Sequence, residues 1–207
     1  MGNIFTKVAS DTLGLSDIGK IIAPEDFDKV AGDDYIFHED DEHIYFVIQS
    51  KTDEYVFTNY GLLHVDGDSA ISNKRTIHRF EYCHYPISHV TLETAGTVDL
   101  DVELKWHMND YEFSVDVDKK QIEELKDLYK ALYEIGRIQL SLNYQYQDDL
   151  KALDNANEVF NKSRFNVENP ASMLQEMTRF NQEYLTTARH ALHRRDFGNV
   201  FEKYINN

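Results

Sequence analysis

Residues 98–106 read VDLDVELKW, and their alternation decides the fold class. Val98, Leu100, Val102, Leu104 and Trp106 share one face of an extended strand, while Asp99, Asp101, Glu103 and Lys105 share the other. YEFSVDV at 111–117 alternates in the same way, and the polar HMND between them reads as a hairpin loop. Upstream, HIYFVIQS, EYVFTN, GLLHVD, TIHRFEY and ISHVTLET are further strands. Most are separated by turn formers at Thr52-Asp53, Asn59, Asp66-Gly67-Asp68 and Ser72-Asn73. About seven closely spaced strands without a helical crossover imply an antiparallel meander, and closing it into a barrel removes exposed edges.

Downstream of Asp118, a helix cap, the period changes. Ile122, Leu125, Leu128, Leu132, Ile135, Ile138 and Leu142 recur at helical spacing, and the seam continues through Tyr146, Leu150, Leu153 and Phe160. A helix of some forty residues would reach ~60 Å, too far to be satisfied by one small barrel. It must bend back or pack on another chain. Asn169-Pro170 starts a further helix, a cap residue followed by proline at the first helical position, with Met173, Met177, Phe180, Tyr184, Ala188 and Ala191 at helical spacing. A short last piece, 196–205, carries Phe197, Val200, Phe201 and Tyr204.

The chain of 207 residues carries a net charge of −16, unevenly placed. Residues 1–118 hold eight basic against twenty-four acidic side chains, and the remainder is neutral; seven of the nine glycines also precede residue 119. Such an acidic N-terminal half repels phosphate backbones, so nucleic acid is not an expected partner, and general membrane attraction is disfavoured. Cys83 is the only cysteine, which excludes an intramolecular disulfide and suits a reducing cytoplasm. No run is apolar enough to span a bilayer. Met1-Gly2-Asn3-Ile4-Phe5-Thr6 fits the myristoylation pattern, but Ile4, Phe5, Val8, Ala9 and Leu13 fit the start of an amphipathic helix better. The expected organisation is an N-terminal helix and connection (1–30), a barrel with a capping helix (31–137), and a helical extension (138–207).

The order of these elements resembles a pleckstrin-homology-like barrel. In detail the chain resembles the bacterial pleckstrin-homology-like family through Thr58-Asn59-Tyr60-Gly61-Leu62-Leu63, the basic turn Lys74-Arg75 and the strand around Tyr85-Pro86-Ile87. The tail resembles the YvbH-like oligomerisation extension found after this domain in some members. The resemblance implies an α+β fold, self-association, and no established enzymatic activity. It does not bring phosphoinositide binding with it. HEDDEH at 38–43 lies where lipid-binding relatives carry Lys and Arg around their first strand loop, and its four carboxylates would repel a phosphate.

The candidate functional residues are few. Lys74, Arg75 and Arg79 form a basic stretch suited to an acidic patch on a second copy, or equally to solvated strand charges. HEDDEH reads as a solvated hairpin tip rather than a metal site, because consecutive turn residues diverge. Cys83 and His84, placed on a strand, leave opposite faces and form no nucleophile–base pair. No catalytic, cofactor or metal residues are therefore assigned. Leu128, Leu132, Ile135, Leu142, Tyr146 and Leu153 are candidate interface residues on the helical seam. The leading expectation is a non-catalytic homo-oligomeric interaction module in the cytoplasm. The alternative is a peripheral membrane or anionic-headgroup-binding domain.

Overall fold

The computed structural model of the protein describes residues 18–67, 74–94, 101–162 and 169–205. The helix expected at 1–13 and the first residues of VDLDVELKW lie outside them. Seven strands stand where the alternation places them: β2 Ile44–Gln49, β3 Glu54–Thr58, β4 Gly61–Gly67, β5 Arg75–Glu81, β6 Ile87–Glu93, β7 Asp101–Met108 and β8 Tyr111–Asp118. An eighth, β1 Lys20–Ile21, precedes them. They form an antiparallel five-stranded sheet in the order β1-β2-β3-β4-β5 and a three-stranded sheet in the order β6-β7-β8.

The register follows the alternation. Val102, Leu104, Trp106 and Met108 of β7 are all buried, and Trp106 pairs with Phe113 across to β8. Their rings stack at 5.0 Å, and Tyr55 and Phe57 of β3 meet Trp106 from the other sheet at 6.2 and 5.6 Å. The expected four-residue loop is in fact a two-residue turn, since Met108 pairs with Tyr111. Asn109 supplies the left-handed conformation (φ 54°) that a tight hairpin needs and that asparagine tolerates.

The two sheets are joined by the chain just ahead of β1. Gly19 forms a parallel bridge with Val117, donating to the Asp116 carbonyl at 2.7 Å and accepting from Asp118 N–H at 3.1 Å. A Cβ here would sit 2.9 Å from the Asp116 carbonyl oxygen and 2.8 Å from Ile48 Cγ2, so only glycine fits. Gln121 completes the strand edge with its side chain, accepting from Ile21 N–H and donating to Ile21 C=O at 2.8 and 3.0 Å.

Three short 3-10 segments, Pro24–Lys29, Ala31–Tyr35 and His38–Asp40, follow β1. Val30 and Ile36 join Val47, Val56, Leu63 and Val65 in a buried cluster, with Ile22, Phe27, Ile44 and Ile77 packed against it. A sheet covered in this way has little wet face, which explains why β3 and β4 are buried almost continuously instead of alternating. No helix among the described residues is long and apolar enough to cross a membrane.

Three helices follow: α1 Ile122–Lys162, α2 Pro170–Leu192 and α3 Gly198–Ile205. Asp118 caps as expected, accepting from Lys120 N–H at 2.9 Å in a 3-10 turn that leads into α1. α1 runs unbroken through Gly136, whose position is a close approach: a Cβ would lie 2.6 Å from the Ile87 carbonyl oxygen. Asn169 caps α2 by accepting from Ser172 N–H at 3.2 Å.

Candidate functional site

The chain divides into two compact units. One runs to Gly136 and takes the chain up again from Arg195; the other is Arg137–Arg194. The last helix, the end of the expected 138–207 extension, packs as part of the first unit. Phe197 and Phe201 are fully buried, Phe201 stacks on Tyr45 at 5.2 Å, and Phe197 meets Tyr82 at 5.6 Å. Phe197 N–H donates to the Asn59 carbonyl at 2.9 Å, and the Arg195 guanidinium covers the Tyr60 ring at 4.1 Å. The two phenylalanines, with the buried Val200, form the apolar side of this last segment.

The candidate seam residues also separate. Leu128, Leu132 and Ile135 are wholly buried with Leu125 and Ala131 in the first unit. This corrects their assignment as interface residues, because their apolar surface is already spent inside the chain. Leu142, Tyr146 and Leu153 belong to the second unit and are half-buried. There α1 and α2 run side by side: Tyr184 Oη donates to Asp149 at 2.9 Å, Asn181 Nδ2 to Asn157 at 3.1 Å, and Arg189 Nε to Tyr146 Oη at 3.4 Å. The expected seam therefore lies toward the intrachain partner helix.

What remains outward is a different set. No described residue from 137 to 194 is buried, and α2 buries none of its side chains. Leu140, Tyr144, Val159, Leu174 and Phe180 stand 52–65% exposed. Leu140 and Tyr144 are one helical turn apart on one face. Phe180 lay on the expected helical spacing of α2, whereas Leu140, Tyr144, Val159 and Leu174 are apolar positions off the expected seams, which the 3–4 periodicity passes over.

The basic residues divide as well. Lys74 and Arg75 are exposed; the Arg75 charge acts on Asp53 and Glu54 inside the chain. Arg79 does not face out as expected. Its Nη1 donates to Glu42 at 2.7 Å, its Nη2 to the Tyr35 carbonyl at 2.6 Å, and its guanidinium covers the Phe37 ring at 4.5 Å. Glu42 is wholly buried, so HEDDEH is not a solvated tip: its fifth residue folds inward. Thr58 Oγ1 and Phe37 N–H also donate to that carboxylate, at 2.8 and 2.9 Å. Burial alone would raise the Glu42 carboxyl; the hydrogen bonds from Arg79, Phe37 and Thr58 and the guanidinium charge outweigh it and hold it below its ordinary value.

Glu54 is the contrasting case. Its carboxylate accepts from Gly32 and Ala31 N–H at 2.6 and 3.2 Å and from Gln49 Nε2 at 2.8 Å. Burial dominates those bonds and raises its carboxyl. Cys83 and His84 are not on a strand at all. β5 ends at Glu81, and the chain turns through 82–84.

Comparison with known proteins finds two families in sequence order, and the second runs on through the last helix. The family described as Bacterial PH domain matches residues 12–135, and the YvbH-like oligomerisation region matches residues 150–207. The Bacillus subtilis (strain 168) protein called Uncharacterized protein YvbH is 50% identical over 204 residues, covering 99% of this chain and 100% of its own. A crystal structure of a PH-domain-containing bacterial protein from Exiguobacterium sibiricum 255-15 superposes with a TM-score of 0.84 at 44% identity. That match covers 91% of this chain and 100% of the other.

Proposed function

The chain belongs to the bacterial PH domain family and carries a YvbH-like oligomerisation region, and from that premise we propose that it is a non-catalytic, self-associating interaction module. The sheets and α3 form a rigid body, and the α1–α2 segment of Arg137–Arg194 meets the same segment of other copies. One observation carries the reading: this segment holds no buried described residue, yet exposes Leu140, Tyr144, Val159, Leu174 and Phe180. Burying one such side chain fully is worth about 1.5–3 kcal/mol, and association between copies is a route to that burial. Leu142, Tyr146 and Leu153 support the surface from within the helix pair. Lys74 and Arg75 are secondary contacts for an acidic row on a neighbour.

Co-expression of two differently tagged copies of the full chain tests the proposal. The second tag is expected to co-purify with the first, and to be lost when both copies carry Leu174→Glu and Phe180→Glu. Two tags that never co-purify would overturn it. Flotation with anionic liposomes addresses the headgroup-binding alternative, for which Arg79 is already engaged by Glu42. Salt-sensitive flotation abolished by Lys74→Glu and Arg75→Glu would favour that alternative.

A further inference from the structure

We propose that Glu81, Cys83 and His84 form a binding site for one zinc-like divalent cation at the end of β5. A regular strand would send these three donors to two faces. The chain instead closes a turn: the N–H groups of His84 and Tyr85 both donate to the Glu81 carbonyl at 2.9 Å. On that turn Cys83 Sγ stands 3.6 Å from Glu81 Oε2, and His84 Nε2 stands 3.9 Å from the same oxygen. All three donor atoms lie within 4.8 Å of one another. Tetrahedral zinc at its usual bond lengths holds sulfur, nitrogen and oxygen donors roughly 3.3–3.6 Å apart. The thiol and carboxylate already have that spacing, and rotation of the exposed His84 ring closes the third side.

The turn is anchored on both sides. Tyr82, between the donors, is wholly buried; its N–H donates to the Tyr60 carbonyl at 2.9 Å, and its ring packs against Phe197 and Phe201 at 5.6 and 6.3 Å. Asn109 Nδ2 donates to the His84 carbonyl at 3.1 Å. The backbone carrying the ligands is thus fixed before any ion arrives, while Glu81 and Cys83 stay half-buried and His84 exposed.

The donor set suits a cation that accepts sulfur. An ion between Cys83 and Glu81 screens the thiolate from the carboxylate, and binding releases the thiol proton. A sulfur, imidazole and carboxylate set favours zinc, cobalt or nickel over calcium and magnesium. Three protein ligands leave a fourth position for water or for a donor from another molecule.

Titration of the full-length protein with cobalt(II) under a phosphine reductant tests the site. Saturation at one cobalt per chain is expected, with a thiolate-to-cobalt charge-transfer band that zinc displaces. Cys83→Ser removes the band. His84→Ala and Glu81→Gln weaken binding by at least the ~10-fold that loss of even an outer partner costs, while His89→Ala binds as the wild type. Because Cys83 is the only cysteine, a disulfide reagent reads the same site directly: zinc slows its reaction, and calcium or magnesium does not. If Cys83→Ser fails to fold, His84→Ala, altered at an exposed ring, decides. The wild type showing no charge-transfer band, or no protection of Cys83 by zinc, would overturn the proposal. None of these readouts depends on self-association.

Discussion

Arg79→Ala tests the buried carboxylate that ties the segment before β2 to β5. It leaves Glu42, wholly buried, with two neutral donors, Thr58 Oγ1 and Phe37 N–H. Removing one partner of a buried ion pair costs about 3–5 kcal/mol. Arg79 is itself 21% exposed, so the low end, about 3 kcal/mol, is expected at neutral pH. The sign of the pH dependence adds a second check. In the wild type the depressed Glu42 carboxyl stabilises the fold above its unfolded value, and that contribution is lost as pH falls through the folded one. Without Arg79, burial dominates and raises the carboxyl, so the variant gains relative stability as pH falls toward the unfolded value. The gap between the two proteins should therefore be widest at neutral pH and narrow on acidification. Denaturant titration followed by fluorescence of Trp106, the lone tryptophan and fully buried between the sheets, reports this unit specifically. In a Glu42→Gln background the cost of Arg79→Ala should fall to about 1 kcal/mol, a neutral hydrogen bond's worth. A cost below about 1 kcal/mol at neutral pH in the wild-type background, or a gap that does not change with pH, would refute the reasoning.

Three further outcomes follow from the same structure. Phe201→Ala should destabilise the sheet body by about 3–5 kcal/mol, read through Trp106; an unchanged midpoint would mean that α3 is not part of that body. Gly136→Ala gains about 1 kcal/mol of helix propensity but drives a Cβ to 2.6 Å from the Ile87 carbonyl oxygen, so denaturant titration should show a net loss; a net gain would contradict the close approach. Glu54 has a raised carboxyl, so its stabilising contribution is present below its unfolded value and lost as pH rises through the folded one. Glu54→Gln should therefore make mild acidification less favourable to stability than it is in the wild type, and an unaltered slope in the same titration would exclude a contribution from Glu54.

The strands were legible because alternation survives wherever one face stays wet, as in β7 and β8. β1 was not, since two residues carry no period; its place is set by Gly19 and by Gln121, a hundred residues away. Glu42 misled because a run of four carboxylates looks solvated, and nothing local reveals that Arg79, thirty-seven positions downstream, folds over it. The turn at 82–84 was hidden because TIHRFEY continues the apolar alternation to Tyr82, whose ring is buried against Phe197 and Phe201 from the end of the chain. The long helix was readable as a seam, but a seam does not say whether its partner is the same chain. Leu128 and Leu153 share that periodicity and end in different units.

The native mass of the full-length protein tests self-association most directly. Light scattering across a range of concentrations should give a multiple of the 24.2 kDa chain, and Leu174→Glu with Phe180→Glu should reduce it to one chain while the Trp106 unfolding midpoint stays in place. A wild-type protein that runs at 24.2 kDa at every concentration would contradict the account.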